Sequence, residues 1–148
     1  MARVNSQKEY SLCVQPTFLI GTYNRDGTPN FCPIMWISVT YDGKGYLLVI
    51  SMSGAKCTKD NIKRTALLSA NLVSTDMLEL LDYFGSCSGK DGTKSCMEYA
   101  WQEGNALPVP TLDQSRWVYE CRVISQVQNG DTITYFGKME NVQIPEDM

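Results

Sequence analysis

Apolar residues cluster in short runs separated by turn signals, the pattern of strands joined by tight turns. Phe18 to Tyr23 and Phe31 to Val39 flank Asp26-Gly27 and Pro29-Asn30. Asp42-Gly43-Lys44-Gly45 then separates that second run from Tyr46–Ile50, and Asn129-Gly130-Asp131 joins Trp117–Val127 to Thr132–Phe136. Asn-Gly and Asp-Gly adopt positive φ at little cost, which marks hairpins. The runs are rich in β-branched and aromatic residues, as half-buried strands are. In the last hairpin Trp117, Tyr119, Cys121 and Val123 form the more apolar face, leaving Val118, Glu120, Arg122 and Ile124 on the other. The spacing predicts antiparallel pairing throughout.

Two polar-apolar stretches with helical spacing interrupt the strands. Thr58–Arg64 opens on a good N-cap residue, carries an acid in its first turn and bases in its last. Thr75–Phe84 also begins on a Thr cap, and Gly85 is expected to stop it. Ala66–Val73 between them reads as a strand. Ser86–Gln114, rich in Gly, Ser, Asp and Pro, reads as a long loop with a short helix around Met97–Glu103. Hairpins with inserted helices and no βαβ alternation predict a mainly β antiparallel barrel or sandwich. The 148 residues fit a single domain, 1–148, with 1–15 as a lead-in and 86–114 as the loop region.

Composition narrows the chemistry. Thirteen basic against sixteen acidic residues give a net charge of −3 and argue against a nucleic-acid partner. No apolar run approaches the roughly 20 residues of a membrane span, so no membrane association is expected. No signal core opens the chain, so a cytoplasmic location is expected. The absence of histidine removes Ser-His-Asp and Cys-His hydrolases and His-ligated metals. Six cysteines form no Cys-x-x-Cys pair, and reduced thiols with no metal site are expected. Trp36, Trp101 and Trp117 are read as core aromatics.

One segment could hold an anion. In Ser51-Met52-Ser53-Gly54-Ala55-Lys56-Cys57-Thr58 a strand ends in hydroxyls and a Gly, passes a Lys and opens a helix. Unpaired N–H groups and a positive partial charge at a helix start suit a phosphate monoester. An ordinary capped helix after a turn would read the same way. Gly89–Ser95 has the wrong spacing for a phosphate loop of the P-loop kind.

Several segments, in order, resemble the flavin reductase-like, FMN-binding split-barrel family, its flavoredoxin branch most. They are Pro16–Tyr23 with Asp26-Gly27-Thr28-Pro29-Asn30, then Cys32-Pro33-Ile34-Met35-Trp36, and Lys56, Thr58, Asn61 and Ile62 as Lys-x-Thr-x-x-Asn-Ile. Asn71-Leu72, Phe84-Gly85, Ser88-Gly89-Lys90-Asp91, Glu120–Val123 and Gly130-Asp131 to Gly137 continue the resemblance to roughly Val142. It implies an antiparallel split β-barrel that dimerises and holds FMN near the subunit interface. The ring would pack on Pro33, Ile34, Met35 and Trp36 and on Ser51, Met52 and Ser53. The phosphate would meet Lys56, Thr58 and Asn61, and Lys94 falls at the family's loop lysine. Met35, Thr93 and Ser95 depart from the family pattern. The implied activity is an FMN-dependent oxidoreductase fed by NAD(P)H as co-substrate or by a redox protein partner. The alternatives are a non-catalytic flavin-binding or electron-carrier protein, or a relative that has lost FMN. The resemblance assigns no catalytic side chain, since hydride transfer to the flavin needs no protein base.

Overall fold

The computed structural model describes residues 1–8, 12–86 and 97–148. Lys94 and the Gly89–Ser95 segment therefore lie outside the described residues, as do Cys87 and Cys96.

Seven antiparallel strands form one sheet: β1 (Phe18–Tyr23), β2 (Pro29–Ile34), β3 (Ile37–Tyr41), β4 (Tyr46–Met52), β5 (Leu67–Leu72), β8 (Val118–Asn129) and β9 (Thr132–Gln143). A short hairpin, β6 (Trp101–Glu103) with β7 (Pro110–Leu112), makes a second sheet. The helices are α1 (Cys57–Thr65) and α2 (Leu78–Ser86). The strand order is β2-β1-β5-β8-β9-β4-β3. Consecutive strands β2 and β3 thus sit at opposite edges, joined only by Met35-Trp36. An extended chain advances at most about 3.6 Å per residue, so those edges must lie within a few residues' reach of each other. The sheet curls into a barrel that stays open along this seam.

β1 shows why its run does not alternate apolar with charged positions. Alternate side chains of a strand point to opposite faces, and both faces of β1 are covered. Phe18 and Ile20 enter the barrel interior with Leu48, Ile50, Met52, Leu68, Ala70, Cys121 and Tyr135. Leu19 joins Phe31, Met77, Leu80, Phe84 and Leu112 under α2. Each large side chain buried this way stabilises the fold by about 1.5–3 kcal/mol. Gly21 is required by close approach: a Cβ there would come within 2.5 Å of the Pro110 carbonyl and 2.7 Å of the Phe31 ring.

Several local expectations are corrected. The run Phe31–Val39 is two strands, broken at Met35-Trp36 where the chain crosses the seam. Helix α1 has its N-cap two residues earlier than expected, at Lys56, whose ammonium has no acceptor to offer, while the Thr58 hydroxyl accepts from Asn30. A short 3₁₀ turn, Thr75–Met77, precedes α2, and Ser74 holds the N-cap position. Gly85 lies inside α2. Met97–Glu103 holds no helix; its end is strand β6, which pairs with β7.

Cys121, with Tyr119 and Val123, packs in the barrel interior as expected, but Glu120 on the other face of β8 is covered too. It is fully buried and accepts five hydrogen bonds, from the N–H groups of Asn105, Ala106 and Leu107 and the amides of Asn141 and Gln143. The carboxylate fastens the β6–β7 connection to the main sheet. Ser69 and Asn71 do the same for β7, donating to the Pro110 carbonyl at 2.5 Å and accepting from Leu112 N–H at 2.9 Å. Trp36 and Trp101 are exposed rather than core, at 47% and 39%.

Candidate functional site

The seam forms a cleft of about 190 Å³ lined by Pro33, Ile34, Met35, Trp36, Ser51, Met52, Ser53 and Lys56. Strand β2 and the crossing segment supply one wall, the end of β4 the other. The Ser51 N–H donates to the Trp36 carbonyl at 3.0 Å and closes the floor. Ile34 and Met52 are buried, whereas Met35 is 48% exposed, so the cleft has an apolar base and an apolar lip. Ser51 and Ser53, both half-buried, add hydroxyls along one side. The Ser51 hydroxyl shares a hydrogen bond with Thr134 at 2.8 Å.

Lys56 stands at the end of the cleft where α1 begins. The first N–H groups of a helix have no partner within it, and no side chain caps them here. The Lys59 N–H reaches back to the Lys56 carbonyl at 3.1 Å, so among the described residues the N–H groups left without a partner are those of the first two residues, Cys57 and Thr58. Among the described residues, no acid or carbonyl engages the Lys56 ammonium. A lysine and an uncapped helix start, side by side, favour an anionic group.

Thr58 and Asn61 are 1% and 4% exposed and lie behind the cleft rather than in its wall. The Asn61 amide donates to Thr22 Oγ1 and to Asn24 Oδ1, each at 3.0 Å. Their side chains bolt α1 onto β1 and β2 and so fix where the helix starts. Of the residues expected to meet the phosphate, Lys56 lines the cleft and Thr58 and Asn61 do not, while Lys94 lies outside the described residues. Cys57, at the first helical position, is half-buried and free; Cys13, Cys32 and Cys121 are free as well.

Two residues missed from the sequence support this site. The Gly54 N–H donates to Asp131 Oδ2 at 2.9 Å, and the Lys59 ammonium to the Asp131 carbonyl at 2.8 Å. The sequence shows Asp131 as a turn residue and within the family resemblance but not beside this site, since its partners lie more than seventy positions away.

The sequence from residue 10 to 148 matches the family model described as flavin reductase like domain. The chain belongs to the flavin reductase like family. No curated protein matches its sequence. Solved structures of the same fold include flavoredoxin of Desulfovibrio vulgaris (Miyazaki F), 22% identical, with a TM-score of 0.86 over 98% of this chain and 78% of that one. An FMN-binding protein from Thermus thermophilus with bound p-hydroxybenzaldehyde is 20% identical, with a TM-score of 0.83 over 99% and 81%. Flavoredoxin from Methanosarcina acetivorans is 20% identical, with a TM-score of 0.83 over 97% and 77%. The family's barrel is thus the barrel described above, open between β2 and β3. Among the described residues, no helix is long and apolar enough to cross a membrane, and no group of His, Cys, Asp or Glu could hold a metal.

Proposed function

We propose that the chain is an FMN-binding oxidoreductase that holds the flavin non-covalently in the seam cleft and passes reducing equivalents through it. The observation that carries this reading is the alignment, in one cleft, of an apolar wall from Pro33 to Trp36 with a lysine and an uncapped helix start at its end. When bound, FMN supplies the hydride or electron chemistry. The chain's own residues bind and orient. Ile34, Met35, Trp36 and Met52 would cover an apolar ring system, and Ser51 and Ser53 would offer hydroxyls to its polar edge. Lys56 and the first N–H groups of α1 would meet the phosphate, with Thr58 and Asn61 holding that helix start in place. Lys94 stands on the family resemblance alone.

The cleft is open and smaller than the roughly 300 Å³ at which pockets begin to enclose a whole ligand. One side of a bound flavin would stay uncovered by this chain, which supports a homodimer in which a second copy closes the site. The exposed side chains of Val39, Tyr41 and Tyr46 on the edge pair β3–β4 favour the same assembly. NAD(P)H or a redox protein is the proposed electron source. The free cysteines fit the reducing cytoplasm as the place of work.

The test is the visible absorption spectrum of the purified protein, followed by heat release and identification of the chromophore. Released FMN, or binding of added FMN, supports the reading; a colourless protein that ignores added FMN defeats it. Oxidation of NADH or NADPH in the presence of FMN then separates a reductase from an electron carrier, which would leave both nicotinamides unoxidised.

A further inference from the structure

The turn between β8 and β9 is remote in sequence from the loop that leads into α1, yet one turn residue grips that loop at two points. The Asp131 carboxylate accepts from Gly54 N–H across 77 positions, and the Asp131 carbonyl accepts from the Lys59 ammonium across 72. The grip therefore spans the segment that contains Lys56 and the first turn of α1. Three residues further along β9, the Thr134 hydroxyl meets Ser51, so the same hairpin also braces the end of β4.

Gly54 has φ +74°, and a Cβ there would meet open space. Glycine visits many backbone states at similar cost. Packing does not select its conformation here; the bond to Asp131 does. An acid beside an anion site would ordinarily repel the anion. Here the carboxylate is turned to a backbone donor, and the Lys59 ammonium is held on the same residue, which offsets its charge.

We infer that Asp131 is a positioning residue: it holds the loop from Ser53 to Lys56 so that the Lys56 ammonium and the opening N–H groups of α1 act together on one phosphate monoester. This rests on the FMN reading above. It adds that selectivity for FMN over riboflavin, the same ring without phosphate, depends on a residue that touches neither.

The experiment is a pair of equilibrium fluorescence titrations, FMN and riboflavin, on the full chain and on Asp131→Ala, Asp131→Asn and Gly54→Ala. Asp131→Ala should raise the Kd for FMN about tenfold and shift that for riboflavin less than about twofold, the effect of one charge-assisted hydrogen bond. Asp131→Asn keeps an acceptor oxygen for Gly54 and should stay within about threefold of the parent for FMN. Gly54→Ala strains the same loop from its other end and should show the same selective loss. Adding it to Asp131→Ala should cost little more, because both act on one element. An Asp131→Ala protein that binds FMN as the parent does, or that loses both flavins equally, overturns the inference. Should that variant fail to fold, an unchanged ratio of the two affinities in Gly54→Ala overturns it alone. A parent chain that binds neither flavin removes the FMN reading, and this inference with it.

Discussion

The Ser51 N–H and the Trp36 carbonyl meet at 3.0 Å one step beyond the Ile37↔Ile50 pair, carrying the β3–β4 ladder into the crossing that borders the open seam. Trp36 lies in the two-residue crossing between β2 and β3, and Ser51 near the end of β4. Their bond ties the crossing to β4 beneath the cleft. It leaves the side chains of Met35 and Trp36 directed outward, both nearly half exposed. A barrel closed by continuous strand pairing would bury this segment and have no cleft.

Lys56→Ala tests the anion end of that cleft directly. Removing a charged donor to a phosphate should raise the Kd for FMN by about tenfold or more and leave riboflavin nearly unaffected. Paired titrations by flavin fluorescence read both values. Equal affinity for FMN in the variant would move the phosphate elsewhere on the chain.

Thr58→Val should act on stability. The Thr58 hydroxyl accepts from the Asn30 amide at 3.0 Å in a buried position, and a methyl group in its place accepts nothing. The loss should be about 1–3 kcal/mol in urea unfolding, typical of a buried donor deprived of one partner. Thr58→Ser should recover most of it.

Glu120 makes stability depend on pH. Burial pushes its carboxyl up, but the amides of Asn141 and Gln143 and the N–H groups of Ala106 and Leu107 outweigh that and hold it below the ordinary range. An unfolded glutamate titrates near about pH 4.3, so below that value the unfolded chain binds protons before the folded one does. The contribution of Glu120 is then complete above the unfolded value and is lost as the pH falls through the lower folded one. Denaturant midpoints measured from pH 7 to pH 3 should decline, and Glu120→Gln should flatten that part of the decline. Glu120→Ala should cost about 3 kcal/mol or more at pH 7, because it strands several buried donors at once.

The thiols should separate by reactivity. Burial, with Glu120 and Glu140 nearby, pushes the Cys121 thiol up to about 12, and the side chain is fully enclosed. Cys13 is exposed. Alkylation at pH 8 followed by peptide mass spectrometry should label Cys13 within minutes and Cys121 only after unfolding. Native labelling of Cys121 would mean that β8 and β9 part from the barrel far more often than their pairing suggests.

Hairpins were legible because their turns are local: Asp26-Gly27, Asp42-Gly43 and Asn129-Gly130 each sit between the strands they join. The break at Met35-Trp36 was not, since an apolar run continues through it and nothing nearby signals a change of sheet edge. Alternation places Glu120 on the less apolar face of β8 and cannot foresee five donors gathered from two other segments. The strands at Trp101–Glu103 and Pro110–Leu112 were hidden by polar composition; what holds them is Ser69, Asn71 and Glu120, all remote in sequence. Around the cleft, the segments Pro33–Trp36, Ser51–Ser53 and Lys56 are brought together, while Thr58 and Asn61 turn inward. A residue pattern marks which segment approaches a ligand, and packing decides which of its side chains face it.

The step from Ile34 to Ile37 has a further consequence. Three Cα–Cα intervals of 3.8 Å set an upper limit on how far the end of β2 can stand from the start of β3, whatever side chains line the gap. Substitutions at Met35 or Trp36 change the lining and polarity of the slot but leave that limit where it is. A single inserted residue would raise the limit without altering any wall. In this barrel the spacing at the crossing is written in chain length, and the chemistry of the slot beside it in side chains, so the two can diverge independently.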